Sequence, residues 1–270
     1  MANTDEIIKN KKLFLFDMDG TIYNEDKLFD GTIELMEEIS KQGGRYVFIT
    51  NNSSKSIYNY IEKINNYGIK ADYDNFYTST QATIAYLKEN YDNKNIYCMG
   101  TKSLLEELEK NSINVYTEYK DNIDVVLLGF DRELKYSKLE DICKIFSKNK
   151  NIPYIATNPD FVCPVNYGFI PDCGAMSKML EYAIGRLPVF IGKPEPTMIN
   201  YVMKKFGYTK EETIAIGDRL YTDIASGINA GVTTICVLTG EATKKDIEKS
   251  NFKPEIVLDS VKDIYKLIKQ

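Results

Sequence analysis

The chain has 270 residues, of which 43% are hydrophobic and 27% are charged, and its formal net charge is −5. This composition is typical of a globular protein with a sizeable core, and the negative charge argues against nucleic acid or an anionic membrane surface as a partner. The sequence contains no histidine. That absence excludes Ser-His-Asp and Cys-His catalysis and histidine-ligated zinc sites.

Short apolar runs predict strands, in chain order, at 13–16, 45–50, 95–99, 124–130, 153–157, 188–192, 213–217, 233–238 and 255–258. Between them, Leu, Ile and Met recur near the helical period, which predicts helices at 32–43, 56–68, 103–111, 138–149 and 179–186. Apolar strands that alternate with helices are typical of a mostly parallel sheet covered on both faces. We therefore expect the α/β class, with a doubly wound parallel sheet.

Four predicted strands end in residues that can carry chemistry. The run at 13–16 leads into Asp17, the run at 45–50 ends in Thr50, and the runs at 188–192 and 213–217 lead into Lys193 and Asp218. Since ligands of an open α/β sheet bind outside the carboxyl ends of its strands, we expect the four ends to meet at one sheet edge. The strands between 95 and 157 lack such residues. We therefore predict a second α/β domain at 82–178, inserted into a core formed by 1–81 and 179–270.

The motif DMDGT (17–21), followed by ITNNSS (49–54), GKPEP (192–196) and GDRLYTDI (217–224), resembles the four ordered motifs of the haloacid dehalogenase-like (HAD) superfamily. The large insert after the second motif resembles subclass IIA, whose C2-type cap occurs in p-nitrophenyl, phosphoglycolate, pyridoxal-phosphate and nucleotide phosphatases. The resemblance spans the whole chain. It implies a Rossmann-like HAD core, an inserted α/β cap, and a Mg²⁺-dependent phosphomonoesterase that acts through an aspartyl-phosphate.

The resemblance also assigns catalytic roles. Asp17 would be the nucleophile, and Asp19, on the same side of an extended chain, would be the general acid and base. Lys193 would place a fixed positive charge beside Asp17 and the phosphate. By resemblance, Mg²⁺ would bind the Asp17 carboxylate, the Asp19 main-chain carbonyl and Asp218. Gly20 would let the chain turn sharply past the phosphate.

Further residues are candidates for binding and support. Substrate-binding candidates are Thr50, Asn51, Asn52 and Ser53, which precede a helix whose N-terminal N–H groups favour anions. Asp223 would support the metal's waters or hold Lys193. Weaker candidates are Arg132, Asn158 and Asp160 as cap contacts, and Tyr23 and Asn24 as part of a flap over the site.

Each motif taken singly also has a plainer interpretation. DMDG and GDRLYTD are also typical of polar turns, NNSSKS of a helix N-cap, and GKPEPT of a solvated loop. Three other functions remain open: a dehalogenase, a phosphomutase or phosphotransferase, and a protein that binds a phosphometabolite without turnover. Asp19 disfavours the first, and the position of the insert disfavours the second. The presence of Asp17, Asp19, Lys193 and Asp218 together favours catalysis over binding alone.

The expected partner is a small phosphorylated metabolite, because a large cap leaves little room for a folded protein substrate. Sugar phosphates, nucleoside monophosphates, pyridoxal phosphate and phosphoglycolate all remain candidates, and a homodimer through the cap is expected by resemblance. The five cysteines form no CxxC pair, which favours reduced thiols and a cytoplasmic protein. The N-terminus lacks a signal-peptide core, and no run approaches the ~18 apolar residues of a membrane span.

Overall fold

The computed structural model describes residues 4–24, 27–165 and 167–269. The strands among them are β1 Leu13–Phe16, β2 Tyr23–Asn24, β3 Lys27–Leu28, β4 Arg45–Thr50, β5 Phe76–Thr78, β6 Ile96–Met99, β7 Val115–Tyr116, β8 Val125–Leu128, β9 Tyr154–Ala156, β10 Val162–Val165, β11 Gly168–Pro171, β12 Val189–Phe190, β13 Thr213–Gly217, β14 Thr233–Val237 and β15 Ile256–Leu258.

The helices are α1 Thr4–Lys9, α2 Thr32–Lys41, α3 Ile57–Asn66, α4 Ser79–Asn90, α5 Lys102–Lys110, α6 Tyr136–Lys148, α7 Cys173–Ile184, α8 Thr197–Phe206, α9 Ala225–Ala230, α10 Lys244–Lys249 and α11 Val261–Lys269. A π-helical turn, Leu220–Ile224, leads into α9, and a 3₁₀ turn, Tyr73–Asn75, precedes β5. Of the helices that the structure describes, none combines the length and the apolar character that crossing a bilayer requires.

The chain divides into two compact units. Unit 1 comprises Met1–Thr50, Ile57–Tyr77 and Lys193–Gln270, and unit 2 comprises Asn51–Ser56 and Thr78–Gly192. The expected insert, 82–178, lies within unit 2, which also takes in the segments 51–56, 78–81 and 179–192. Of the expected domains, residues 1–3, 25, 26, 166 and 270 lie outside the described residues.

Unit 1 contains a six-stranded sheet in the order β15-β14-β13-β1-β4-β5, in which the neighbours from β15 to β4 are parallel. Its central strand β1 is buried at all four positions, as a parallel strand covered on both faces should be. The register aligns Phe16 with Ile216, so the residues that follow β1 and β13 leave the sheet side by side. The predicted α/β class is confirmed.

Unit 2 contains its own five-stranded parallel sheet, in the order β12-β9-β8-β6-β7, and an antiparallel hairpin formed by β10 and β11. A separate hydrophobic core lies around its central strands and includes Tyr97, Val126, Leu128 and Tyr154. The sheet and this core make unit 2 a second α/β layer structure.

One expectation about the strands is wrong. The run at 188–192 was expected to end at the same sheet edge as the strands before Asp17 and Asp218. Instead, its observed strand β12 pairs with β9 of unit 2, with Val189 opposite Ile155. An apolar run carries no information about which of two parallel sheets it will join. Lys193, three residues beyond β12, nevertheless belongs to unit 1.

Candidate active site

The site begins where β1 ends. The Asp17 N–H donates to the carbonyl oxygen of Ile216 at 2.8 Å, which continues the β1–β13 ladder by one residue. The chain then turns at Gly20, whose φ of +86° lies in the left-handed region that favours glycine. Asp17 is partly buried, whereas the Asp19 side chain two residues later is exposed.

Asp218 follows β13 and is held on both carboxylate oxygens. The Thr21 hydroxyl donates to Oδ1 at 3.1 Å, and the Glu241 N–H donates to Oδ2 at 2.8 Å. Thr21 belongs to the DMDGT motif, and Glu241 lies in the loop after β14. These bonds fix the orientation of a carboxylate that is only 2% exposed. The contribution of Glu241 was not predicted, since a main-chain donor leaves no mark on the sequence.

Lys193 lies between two carboxylates. Its Nζ donates to Oδ1 of Asp17 at 2.6 Å and to Oδ1 of Asp223 at 2.7 Å, and it also bonds the carbonyl oxygen of Ile49 at 3.3 Å. Burial lowers the pKa of Lys193, but the charges of Asp17 and Asp223 outweigh burial and raise it above its ordinary value. The ammonium group therefore stays charged across the physiological pH range.

Asp223 reaches this cluster from the π-helical turn. Its Oδ2 accepts from the Arg219 N–H at 3.0 Å while its Oδ1 accepts from Lys193. One carboxylate oxygen from each of Asp17, Asp218 and Asp223 lies within 4.8 Å of the others. The cluster therefore concentrates three acidic groups, two of which are paired with Lys193.

The pKa values of two of these acids are shifted by burial and by the neighbouring carboxylates. Burial, followed by the charge of Asp223, raises the pKa of Asp17 well above its usual range, although Lys193 opposes this. Burial and the charge of Asp223 likewise raise the pKa of Asp218 to about 6. A divalent cation among these oxygens would favour their ionised forms. The donor set, which consists of hard carboxylate oxygens, fits Mg²⁺.

Three glycines make room for the carboxylates. A Cβ at Gly20 or Gly240 would lie 2.6 Å or 2.0 Å from Oδ2 of Asp218, and one at Gly217 would lie 2.3 Å from the Cβ of Asp223. Each of these separations is far shorter than a carbon can tolerate, so the aspartate side chains occupy the space that a side chain at these glycines would need. Gly217 and Gly240 were not predicted as part of the site, although Gly217 directly precedes Asp218.

The candidate phosphate-binding run divides between the units. Thr50 ends β4 in unit 1, where it is 8% exposed. Asn51, Asn52 and Ser53 belong to unit 2. Thr50 thus shares a unit with Asp17, Asp19, Lys193, Asp218 and Asp223, and the other three residues do not.

The side chains of Asn51 and Ser53 are engaged within unit 2. Asn51 Nδ2 donates to Oδ2 of Asp160 at 2.7 Å. Ser53 Oγ lies 2.9 Å from Oγ1 of Thr157 and accepts from the Phe130 N–H at 3.0 Å. These bonds tie the segment 51–56 to the residues that follow β8 and β9.

Asn52 and the weaker candidates also lie in unit 2. Asn52 Oδ1 accepts from the N–H and the hydroxyl of Ser54, both at 2.9 Å. Asn158 is fully buried, and its Nδ2 donates to Asp160 at 3.1 Å and to Asp172 at 3.0 Å. Arg132 is exposed. Asn158 and Asp160 therefore help to build unit 2, whereas Arg132 presents its charge to solvent.

Comparison with known proteins places the chain in a family. A family model described as haloacid dehalogenase-like hydrolase matches residues 14–114, and a second, described as HAD-hydrolase-like, matches residues 190–264. An acid sugar phosphatase from Staphylococcus saprophyticus is 32% identical over 96% of this chain and 98% of that protein. The chain belongs to the haloacid dehalogenase-like hydrolases.

Other relatives agree with this placement. A 5′-nucleotidase from Bacillus subtilis is 31% identical over 94% of this chain and 97% of that protein. The crystal structure of a 4-nitrophenylphosphatase from Thermotoga maritima superimposes with a TM-score of 0.91 at 36% identity, over 97% of this chain and 99% of that one. The expected family, with its parallel-sheet fold, and the assignment to a hydrolytic enzyme of the phosphatase type are confirmed.

Proposed function

We propose that this HAD-like phosphatase hydrolyses the monoester of a small phosphorylated metabolite through an aspartyl-phosphate formed on Asp17, with Mg²⁺ as its cofactor. The state of the Asp17 carboxylate carries the proposal. Lys193 binds its Oδ1 at 2.6 Å, while no described residue donates a hydrogen bond to its Oδ2. A carboxylate held on one oxygen with the other oxygen unengaged is suited to in-line attack on phosphorus.

The first step forms the covalent intermediate. Asp17 Oδ2 attacks phosphorus, the bond from phosphorus to the ester oxygen breaks, and the proton of Asp19 passes to the departing oxygen. Lys193, fixed by its two ion pairs, offsets the charge that develops on the phosphoryl oxygens. Thr50 and the main-chain amides of Asn51, Asn52 and Ser53 are the proposed phosphoryl-binding groups.

The second step regenerates the enzyme. Asp19, now ionised, takes a proton from a water molecule whose oxygen attacks phosphorus, and the bond from phosphorus to Asp17 breaks. Inorganic phosphate leaves and the Asp17 carboxylate returns. The exposure of Asp19 supports this role, since the group must meet both a leaving group and a water molecule.

The carboxylates of Asp17 and Asp218 and the main-chain carbonyl of Asp19 would hold Mg²⁺. Asp223, which accepts hydrogen bonds from Lys193 and the Arg219 N–H, would support the site without binding the ion itself. When bound, the ion supplies positive charge that neutralises the phosphoryl group and its acidic surroundings. The raised pKa values of Asp17 and Asp218 support this proposal, because burial and the neighbouring carboxylates both disfavour the ionised forms, which a bound cation would favour.

We further propose that unit 1 is the catalytic core and that unit 2 is the cap that selects the substrate. The names of two relatives, acid sugar phosphatase and 5′-nucleotidase, favour sugar phosphates and nucleoside monophosphates as the substrate class. Arg132 is the candidate in unit 2 whose charge is available to an anion. Homodimerisation through unit 2 stays a prediction, and light scattering of the purified protein tests it.

The test measures phosphate release from a panel of sugar phosphates, nucleoside monophosphates, pyridoxal phosphate and phosphoglycolate, with Mg²⁺ or with a chelator. We expect release that requires Mg²⁺, and a loss of at least about 10³-fold in kcat for Asp17→Asn, because the substitution removes the nucleophile. No release from any compound, or full activity of Asp17→Asn, would contradict the proposal. A protein that only binds its ligand would instead show thermal stabilisation without turnover.

A further inference from the structure

The carboxylate of Asp19 has one hydrogen-bond donor among the described residues. The Tyr23 hydroxyl donates to its Oδ2 at 3.3 Å, and Oδ1 receives no bond from any described residue. Asp19 is exposed, whereas Tyr23 is only 1% exposed. An exposed side chain that would otherwise sample several rotamers is thus tethered to a ring that lies in the core of unit 1.

The ring of Tyr23 is fixed from several sides. The Lys63 ammonium lies 3.9 Å from its ring centroid, within the range of a cation–π contact, and the Tyr67 ring lies 5.8 Å away. The main chain of Tyr23 is tied to the same turn that carries Asp19, since the Gly20 N–H donates to its carbonyl oxygen at 2.8 Å. Its hydroxyl therefore has little freedom to leave Asp19.

We propose that Tyr23 is a positioning residue for the acid–base step, and this inference rests on the proposed function of Asp19. The Tyr23 hydroxyl occupies Oδ2 and so leaves Oδ1 as the oxygen that carries the exchangeable proton. This fixes which oxygen faces the departing group and removes the rotational freedom that would reduce the fraction of molecules ready to react. Tyr23 touches neither the substrate nor the phosphoryl group in this scheme.

The dependence of the rate on the leaving group tests this role. A nitrophenolate departs without needing a proton, whereas the alkoxide of an alkyl phosphate needs one from Asp19. The test compares kcat/KM of the wild type and Tyr23→Phe for 4-nitrophenyl phosphate and for the alkyl monoester turned over fastest in the panel. Since kcat/KM reports the first irreversible step, later hydrolysis of the intermediate does not obscure the comparison.

We expect Tyr23→Phe to lower kcat/KM about tenfold for the alkyl monoester and less than about twofold for 4-nitrophenyl phosphate, because a general acid contributes roughly 10²–10⁴-fold and only its alignment is lost. Tyr46→Phe is the matched control. Tyr46 is a buried tyrosine of the same core, and its hydroxyl donates to the Lys70 carbonyl oxygen at 2.6 Å. Tyr46→Phe should slow neither substrate selectively, and thermal unfolding of both variants checks that they fold.

Asp19→Asn, measured on the same two substrates, separates this inference from the proposed function. One outcome is that Asp19→Asn lowers kcat/KM selectively for the alkyl monoester while Tyr23→Phe lowers kcat/KM equally for both substrates or for neither. In that case Tyr23 is not a positioning residue, and the role of Asp19 stands. If Asp19→Asn slows both substrates equally, Asp19 is not the general acid, and both the inference and that part of the proposed function are overturned.

Discussion

Lys193 is the cation that lies inside the carboxylate cluster of unit 1. It is 2% exposed, and its two ion pairs are 2.6 Å and 2.7 Å long. A buried charge of this kind persists only when it is paired, since an uncompensated ion in a protein interior is strongly unfavourable. Lys193 pairs with Asp17 and Asp223, and the Arg219 guanidinium also interacts with all three carboxylates of the cluster. The three carboxylates still outnumber these two cations, so the metal-free site carries excess negative charge when all three are ionised.

Burial of Asp218, together with the charge of Asp223, predicts how stability depends on pH. The pKa of Asp218 is raised from 3.8 to about 6, so the native protein keeps a proton that the unfolded chain has already released. This contribution to stability is complete below about pH 4 and is lost as the pH rises through about 6. In the metal-free protein, the free energy of unfolding of Asp218→Asn, taken relative to that of the wild type, should therefore rise by about 3 kcal/mol between pH 4 and pH 7.

Urea unfolding of both proteins in a chelator, at several pH values, measures this difference in the free energy of unfolding. Using the difference between the two proteins cancels the titration of acidic groups that are distant from Asp218. Asp17 does not cancel, because the charge of Asp218 contributes to its raised pKa, but removing that charge changes the difference in the same direction. A difference that does not change with pH would contradict the prediction. Adding Mg²⁺ should stabilise the wild type and leave Asp218→Asn largely unchanged, because a ligand stabilises only the state that binds it.

At the scale of elements, the loop after β14 helps to position the carboxylate of Asp218, which follows β13. It contributes the Glu241 N–H that holds Asp218, and its Gly240 passes so close that a Cβ would lie 2.0 Å from Oδ2 of that carboxylate. Asp218 cannot move away freely, since Thr21 holds its other oxygen. A methyl group at Gly240 must therefore displace the carboxylate or the loop.

We expect Gly240→Ala to lower kcat/KM for 4-nitrophenyl phosphate by about 10- to 100-fold, as displacements of about 1 Å in an active site do. Gly207→Ala is the control. Gly207 has a φ of +75°, and apart from its own atoms, the residues next to it in the chain and the backbone of the adjoining helix, no atom of the described residues lies within 4 Å of the place that an added methyl group would take. Its substitution therefore costs about 1–2 kcal/mol of backbone strain and should leave kcat/KM unchanged. Equal activity of the two variants would show that the loop does not position Asp218.

The sequence was informative where an ionisable side chain directly follows a predicted strand. Asp17 and Asp218 follow β1 and β13 directly, and strands at 13–16 and 213–217 are visible as apolar runs because both of their faces are buried. The polar run after β4 shows what the sequence could not predict. The side chains of Asn51 and Ser53 bond Asp160 and Thr157, which are more than a hundred residues away in the sequence. Such pairings depend on tertiary folding and have no local pattern.

For the whole molecule, the chain passes between the two units at four places rather than two, because the segment 51–56 belongs to unit 2. Ser53 shows why. Its hydroxyl accepts from the buried N–H of Phe130, which follows β8, and contacts Thr157, which follows β9. A residue that lies in sequence between β4 and α3 of unit 1 thus completes the hydrogen bonding of unit 2.

Ser53→Ala should leave the Phe130 N–H without its acceptor, at a cost of about 1–3 kcal/mol. We expect amide hydrogen exchange to become faster in peptides that contain β8 and β9 and to stay unchanged in those that contain β1 and β13. Ser40→Ala, which removes a hydroxyl bonded to the Met36 carbonyl oxygen in α2 of unit 1, should leave β8 and β9 protected. Faster exchange in β1 and β13 alone would contradict the membership of Ser53 in unit 2.

Because the chain passes between the units at four places, unit 2 cannot be removed as one continuous segment. Excising residues 78–192 as one cassette would leave the segment 51–56 behind, with Asn51 deprived of Asp160 and Ser53 deprived of both Thr157 and Phe130. The same segment would be missing from a cassette transplanted into another scaffold. A chimaera that exchanges unit 2 between related enzymes therefore has to carry two separate pieces of sequence, the short one together with the long one.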